Sequence, residues 1–275
     1  MSARTIAIRE GVLALTGEQK IMTVRGAFYA LSTRGIVPKD EGGYRSVQAQ
    51  ILRMRRDGIL DWKFIADSTR WQRKPPTWDS HEDALEVTAR TYRRNLWRSQ
   101  KVRIEVWLEK DALAGIVMEA TSPWDVALMV SRGSSSATFL HGSAEMATEA
   151  WEWDHIETHV FTLYDFDAGG QRAARTVERG LRQYAPHTPI IVTHLAVNVE
   201  QIAEWSLPTR PAKKSDPEAH KFGSLAVELD AIPPNVLIGL VENAIVGLID
   251  DRAWEMEKAY EQSERTILSR IAGTS

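Results

Sequence analysis

From Val102 onward the chain alternates between short strand-like runs and longer helical stretches, and that rhythm restricts the fold more than any other feature of the sequence. Val102–Leu108, Ala127–Ser131, Thr158–Tyr164 and Pro189–His194 have the length and the β-branched and aromatic content of strands. The intervening stretches, about 111–119, 136–150 and 170–184, read as helices. Four strands interleaved with helices predict an α/β fold with a mainly parallel, four-stranded sheet. Ligands of such sheets bind outside the carboxyl ends of the strands, so the residues just past each strand are where chemistry is expected.

Two of those ends carry acids. The first strand, VRIEVWL, runs into Glu109-Lys110-Asp111, and the third, ending in Leu163-Tyr164, runs into Asp165-Phe166-Asp167 and then Ala168-Gly169-Gly170. Strand alternation turns Asp165 and Asp167 the same way and Phe166 toward packing. Hard carboxylate oxygens at neighbouring strand ends suit Mg²⁺ or Mn²⁺, with phosphate completing the shell. The turn after the second strand, Ser131-Arg132-Gly133-Ser134-Ser135-Ser136, offers Arg132 and a serine run ahead of a helix, which suits either a phosphate or a plain N-cap.

The first 78 residues have a different pattern. Thr23 is a suitable N-cap for a helix through Thr33, and a second helix is expected from about Gly43 to Arg56. Ile59, Leu60, Trp62, Phe64 and Ile65 then read as short extended segments. Helix, turn, helix and hairpin is the order of a winged helix. Arg45, Arg53, Arg55 and Arg56 lie on the second helix, where they would meet DNA or simply form a solvated face. A polar, Pro-Pro-containing stretch, Trp71–Ala84, reads as a linker, and 79–100 as a basic linker helix carrying Arg90, Arg93, Arg94 and Arg98. Residues 101–275 then form the α/β domain with its C-terminal helices.

Charge supports this division. Residues 1–100 carry a net +7 and residues 101–275 a net −10, within an overall −3. A basic module beside an acidic one suits a polyanion partner held next to a carboxylate site. There is no cysteine, so thiolate metal sites and disulfides are excluded. The most apolar stretch, Val236–Ile249, is shorter than the roughly 20 residues that span a bilayer, and the N-terminus lacks a secretory signal pattern. A soluble, cytoplasmic protein is therefore expected. Neither GxxxxGK[ST] nor GxGxxG occurs, so nothing points to an ATPase or a dinucleotide enzyme.

VRIEVWLEKDALAG (Val102–Gly115) and LYDFDAGG (Leu163–Gly170) resemble the Toprim domain, and most of all that of the topoisomerase VI A subunit and its relative, the meiotic double-strand-break transesterase. That family joins a winged helix to its Toprim domain and carries a nucleophilic tyrosine on a helix reading Arg-x-x-aromatic-Tyr, matched here by Arg25-Gly26-Ala27-Phe28-Tyr29. The resemblance covers about residues 20–70 and 100–250. It departs at the turn after the second strand and at Ala168, where the family has proline, as a smaller and divergent relative would.

The resemblance implies that Glu109, Asp165 and Asp167 hold Mg²⁺ or Mn²⁺, and that Tyr29, assisted by Arg25 and Glu109, breaks DNA by transesterification. It implies DNA as partner, with Lys110 and Arg132 beside the second helix's arginines at the interface, and a homodimer in which one copy's tyrosine meets the other's metal site. Strand passage would need an ATPase on a separate chain. Tyr29 should then have an exposed hydroxyl, far from Glu109 of its own chain. Two other functions stay open on the residues alone: a hydrolytic nuclease with the same metal site, and a non-catalytic winged-helix DNA-binding protein.

Overall fold

The computed structural model describes residues 2–19, 21–65, 75–132, 135–211 and 225–273. Residues 71–74 of the expected linker, and Gly133 and Ser134 of the serine-rich turn, lie outside the described residues. The chain begins with three helices, α1 (Ala3–Glu18), α2 (Val24–Thr33) and α3 (Glu41–Arg56). Each starts on a side chain that accepts a hydrogen bond from a helix N–H that would otherwise be unpaired: Ser2 from Thr5, Thr23 from Gly26, Asp40 from Gly43. Ile8, Val12 and Leu15 from α1 meet Phe28 and Leu31 from α2 and Val47, Ile51 and Met54 from α3 in a core of their own. The spacing of three and four places each set on one helix face. Gly11 lets α1 and α2 close together, since a Cβ there would lie 2.6 Å from a Leu31 methyl.

Among the described residues 59–65, the expected β-wing hairpin does not form. Trp62–Phe64 is a 3₁₀ turn, capped by Asp61, which accepts from the Lys63 N–H at 2.8 Å. Ile65 makes a single parallel bridge to Met22. Leu60, Phe64 and Ile65 are all buried, so these apolar residues close the helical core instead of alternating across a hairpin. The basic linker helix is also shorter than expected. α4 spans His81–Thr91, after which the chain leaves the helix at Tyr92 and makes a 3₁₀ turn at Leu96–Ser99. The cause is tertiary: Arg94 is drawn to the C-terminal helix, α10 (Asp251–Ile271), where its Nε meets Glu257 at 2.6 Å and its Nη1 meets Glu264 at 2.5 Å.

The α/β part contains β1 (Val102–Leu108), α5 (Ala114–Thr121), β2 (Ala127–Val130), α6 (Ala137–Asp154), β3 (Glu157–Leu163), α7 (Ala168–Tyr184), β4 (Ile190–Ala196), α8 (Val199–Glu204) and α9 (Pro234–Val246). The four strands pair in parallel in the order β2-β1-β3-β4. Ile104, Val106 and Leu108 of β1 face one way, into a core shared with Ile116 of α5 and Val241 of α9. Trp107 of β1 and Val160 of β3 face the other way, onto Ala144 of α6 and Val177 of α7. Helices thus cover both faces of the sheet, as an all-parallel sheet requires. Among the described residues no helix is long and apolar enough to cross a membrane.

Glu105 is a fully buried acid on β1, held by Arg103 at 2.5 Å, the Trp107 indole N–H at 2.8 Å and the Ser143 hydroxyl at 2.7 Å. Removing it leaves three donors, one of them charged, without an acceptor. Glu105→Ala is therefore expected to cost about 3–5 kcal/mol of stability in urea unfolding. A loss below about 1 kcal/mol would show that these donors find water instead.

Candidate metal centre and its ion-pair network

The strand order brings the two acidic strand ends together. The chain leaves β1 for β2 on one side and returns to β3 on the other, so the sheet's topological switch point lies between β1 and β3. Glu109 follows one strand and Asp165 the other. The Asp165 N–H donates to Glu109 Oε2 at 3.1 Å, and the Glu109 N–H to the Leu163 carbonyl at 3.1 Å. Asp167 is the N-cap of α7, accepting from the Gly170 N–H at 2.9 Å. Gly170 has no alternative here, because a Cβ would lie 2.3 Å from the Asp165 carbonyl oxygen.

A second acidic segment completes the cluster. Phe166 and Val227 exchange backbone hydrogen bonds at 2.9 and 3.0 Å, which fixes Glu228 and Asp230 beside the strand ends. The Leu229 N–H donates to Asp165 Oδ1 at 2.8 Å. Lys110 sits at the centre, with its ammonium 3.0 Å from Asp165, 3.3 Å from Glu228 and 2.9 Å from Asp230. Arg210 meets Asp167 at 3.1 Å and Glu228 at 3.4 Å. Arg25, from the helical unit, meets Glu228 at 3.0 Å, and the Thr23 hydroxyl donates to Asp230 at 3.3 Å.

The electrostatics follow from burial and neighbours. Burial raises the Asp165 carboxyl to about 6, with Glu109 adding to the shift and Lys110 opposing it. Burial likewise holds Glu109 above the usual carboxylate range. Glu228 is held below that range, because Lys110, Arg25 and Arg210 outweigh its burial. Lys110 is buried too, yet Asp230, Asp165 and Glu228 keep its ammonium charged well above its ordinary range.

The cluster holds more carboxylates than cations. Glu109, Asp165, Asp167, Glu228 and Asp230 directly face Arg25, Lys110 and Arg210, which leaves two negative charges when all are ionised. The Asp165 N–H binds Glu109 through Oε2, and the Leu229 N–H and Lys110 bind Asp165 through Oδ1. The carboxylates do not form a ready-made cage. Among the described residues no three His, Asp or Glu side chains are arranged to hold an ion. Asp167 spends one oxygen on Gly170 and the other on Arg210.

Tyr29 departs from expectation. It is 7% exposed, lining the floor of a depression rather than standing out into solvent, and it lies within electrostatic reach of Lys110, Glu228 and Asp230 of its own chain. Burial, reinforced by Glu228, pushes its hydroxyl up to about 12. α2 runs directly against the 228–231 segment, and its buried face includes Tyr29 as well as Phe28.

The residues expected at DNA scatter. Lys110 is committed to three carboxylates. Arg132 pairs with Asp111 at 3.0 Å. On α3, Arg45 pairs with Glu41 and points to solvent, while Arg55 lies 4.3 Å over the Trp62 ring and donates to its carbonyl. Arg53 and Arg56 are exposed farther along the helix. Glu228, Asp230 and Arg210 were not anticipated. The signal was present in Val227-Glu228-Leu229-Asp230, which repeats the acid–apolar–acid alternation of Asp165-Phe166-Asp167. Compared with models of known protein families and with curated proteins, the chain matches none.

Lys110→Met is expected to cost about 3 kcal/mol at pH 7.5, because it strands Asp165, Glu228 and Asp230 without their shared cation. The acids left behind would have raised pKa values in the folded state, so the deficit should shrink as pH falls toward 5. Millimolar Mn²⁺ should raise the variant's melting temperature more than the wild type's. Equal gains in both proteins would mean that the acids do not accept a divalent ion.

Proposed function

We propose that the chain cuts the phosphodiester backbone of DNA in a divalent-cation-dependent reaction, with Glu109, Asp165 and Asp167 as the cation's carboxylates and Tyr29 as nucleophile. In this reading the helical unit is a divergent winged helix and the sheet a Toprim domain. The supporting observation is the placement of Glu109 against Asp165 at the switch point of a parallel sheet, with Lys110 and the Arg25–Tyr29 face of α2 on the same cluster. Bound Mg²⁺ or Mn²⁺ would neutralise charge on the phosphate and ease departure of the leaving oxygen.

The chain's own groups supply the rest. Attack by the Tyr29 hydroxyl on phosphorus forms a phosphotyrosyl ester and breaks one bond between phosphorus and a deoxyribose oxygen. The phenolic proton passes to water or to an ionised carboxylate of the cluster, and the released deoxyribose oxygen takes up a proton. No bond is lost to water, so the reverse attack reseals the strand. Arg25 and Lys110 both favour the phenolate against the burial that raises its pKa. Two copies, each breaking one strand, would make a double-strand break, which is what a homodimer contributes.

Hydrolysis is a second reading, and one observation favours it. A hydroxyl on a residue 7% exposed, with a pKa near 12, is a poor nucleophile as it stands. Water at the same carboxylates would then attack, and Tyr29 would serve packing.

Cleavage of supercoiled plasmid should require Mg²⁺ or Mn²⁺ and should be abolished by Glu109→Ala or Asp165→Ala. Undiminished cleavage in excess chelator would overturn the metal reading. Divalent-cation affinity should rise with pH through about 6, because Asp165 must lose its proton to bind. An affinity unchanged between pH 5 and 7.5 would remove Asp165 from the site. Denaturation during cleavage should trap a covalent protein–DNA adduct, and Tyr29→Phe should abolish both adduct and cutting. Cleavage by Tyr29→Phe at the wild-type rate would leave hydrolysis as the mechanism.

A further inference from the structure

The surface of the helical unit carries a run of adjoining depressions that ends at Tyr29. The first, about 430 Å³, lies between the start of α1 and α3 and is lined by Ser2, Arg4, Thr5, Arg45 and Ser46 among others. The second, about 780 Å³, shares Arg4 with the first and continues past Ser32 and Thr33 to Lys39. The third, about 210 Å³, shares Thr33, Ser206 and Pro208 with the second and reaches Tyr29 and Asp230. Lys39 stands at this junction. Its ammonium donates to the Thr209 carbonyl at 2.6 Å and lies 5.6 Å from the Tyr29 ring centroid.

We infer that Arg4, Lys39 and Arg45 form a track that holds one strand of DNA by its phosphates and leads it to Tyr29. The chain as a whole has more acids than bases, yet none of the described residues lining the first two depressions is Asp or Glu; the one described acid paired with a track cation, Glu41 with Arg45 at 3.2 Å, forms an exposed pair that a phosphate can replace. Cations spaced along a channel, with hydroxyls between them, match a polymer of regularly repeated anions better than a single phosphate ligand. No aromatic ring lines these two depressions among the described residues, so bases find no stacking platform there. The strand is therefore held by its backbone, and binding should tolerate any sequence. The track departs from the arginine set expected on α3: Arg45 belongs to it, whereas Arg53 and Arg56 do not line it.

The inference rests on the DNA-cutting reading above, and binding measurements separate the two. A labelled single-stranded oligonucleotide would be titrated by fluorescence anisotropy between about 50 and 200 mM KCl. The full-length Arg4→Ala/Lys39→Ala/Arg45→Ala variant should lower the slope of log affinity against log salt by about 2, and lose about 100-fold in affinity near 100 mM. Arg53→Ala/Arg56→Ala should stay within about twofold of wild type, and thermal melts should show both variants folded. A triple variant that binds with wild-type slope and affinity would overturn the track. So would a loss carried by the Arg53/Arg56 variant, which would assign contact to the far end of α3. Wild-type protein that binds no DNA at all would instead sink the function proposed above, and the track with it.

Discussion

Lys110 is the charge on which the rest of the molecule depends. An ammonium taken out of water costs several kcal/mol, and only close carboxylates can offset it. Here Asp165, Glu228 and Asp230 do so at once. Two of those acids also reach the helical unit, since Glu228 binds Arg25 and Asp230 accepts from Thr23, both at the start of α2. The same ammonium that neutralises the strand ends therefore anchors the helical unit to the sheet. Because the groups share partners, removing one leaves a buried charge uncompensated, and the effects of substitutions within the network will not add.

The backbone prepares this arrangement before any charge is placed. Strand order β2-β1-β3-β4 opens a gap between the connections leaving β1 and β3, and both strands end there in acids. That much is legible from the sequence, because strand length, alternation and acidic strand ends are local signals. All four strands fall within a residue or two of their expected bounds, and α2 starts on the expected cap. What the sequence hides is set by distant partners. Arg94 looks like one more arginine of a basic helix until α10 supplies Glu257, Glu261 and Glu264 to draw it out of helical conformation. The 59–65 segment has the residues of a hairpin, but Leu60 and Phe64 bury more surface by closing the three-helix core. Glu228 and Asp230 follow about sixty residues after Asp167, and only the Phe166–Val227 pairing makes them neighbours.

Tyr29 shows why geometry and motif must be weighed separately. Its spacing from Arg25 suits a catalytic pair, and both side chains do face the acidic cluster. Yet a phenol buried beside Glu228 is less acidic than in water, because desolvation and a neighbouring carboxylate both oppose the phenolate. Arg25 and Lys110 pull the other way but are already engaged with Glu228, so only part of their charge acts on the hydroxyl. Glu228, which docks α2 through Arg25, thus adds to the burial that disfavours the Tyr29 phenolate.

A polyanion would change that balance in one direction only. In the proposed reaction, a DNA phosphate near Arg25 would compete with Glu228 for the guanidinium, while a divalent cation would compete with Lys110 for the same carboxylates. Each exchange weakens the contacts between α2 and the 228–231 segment, and both neutralise charge that would otherwise be left buried. Separating the helical unit from the sheet would therefore cost least when phosphate and cation arrive together, since neither alone satisfies both halves of the network. If the chain cuts DNA as proposed, these stabilising ion pairs would make its reactivity conditional on substrate, with no further element of the fold required.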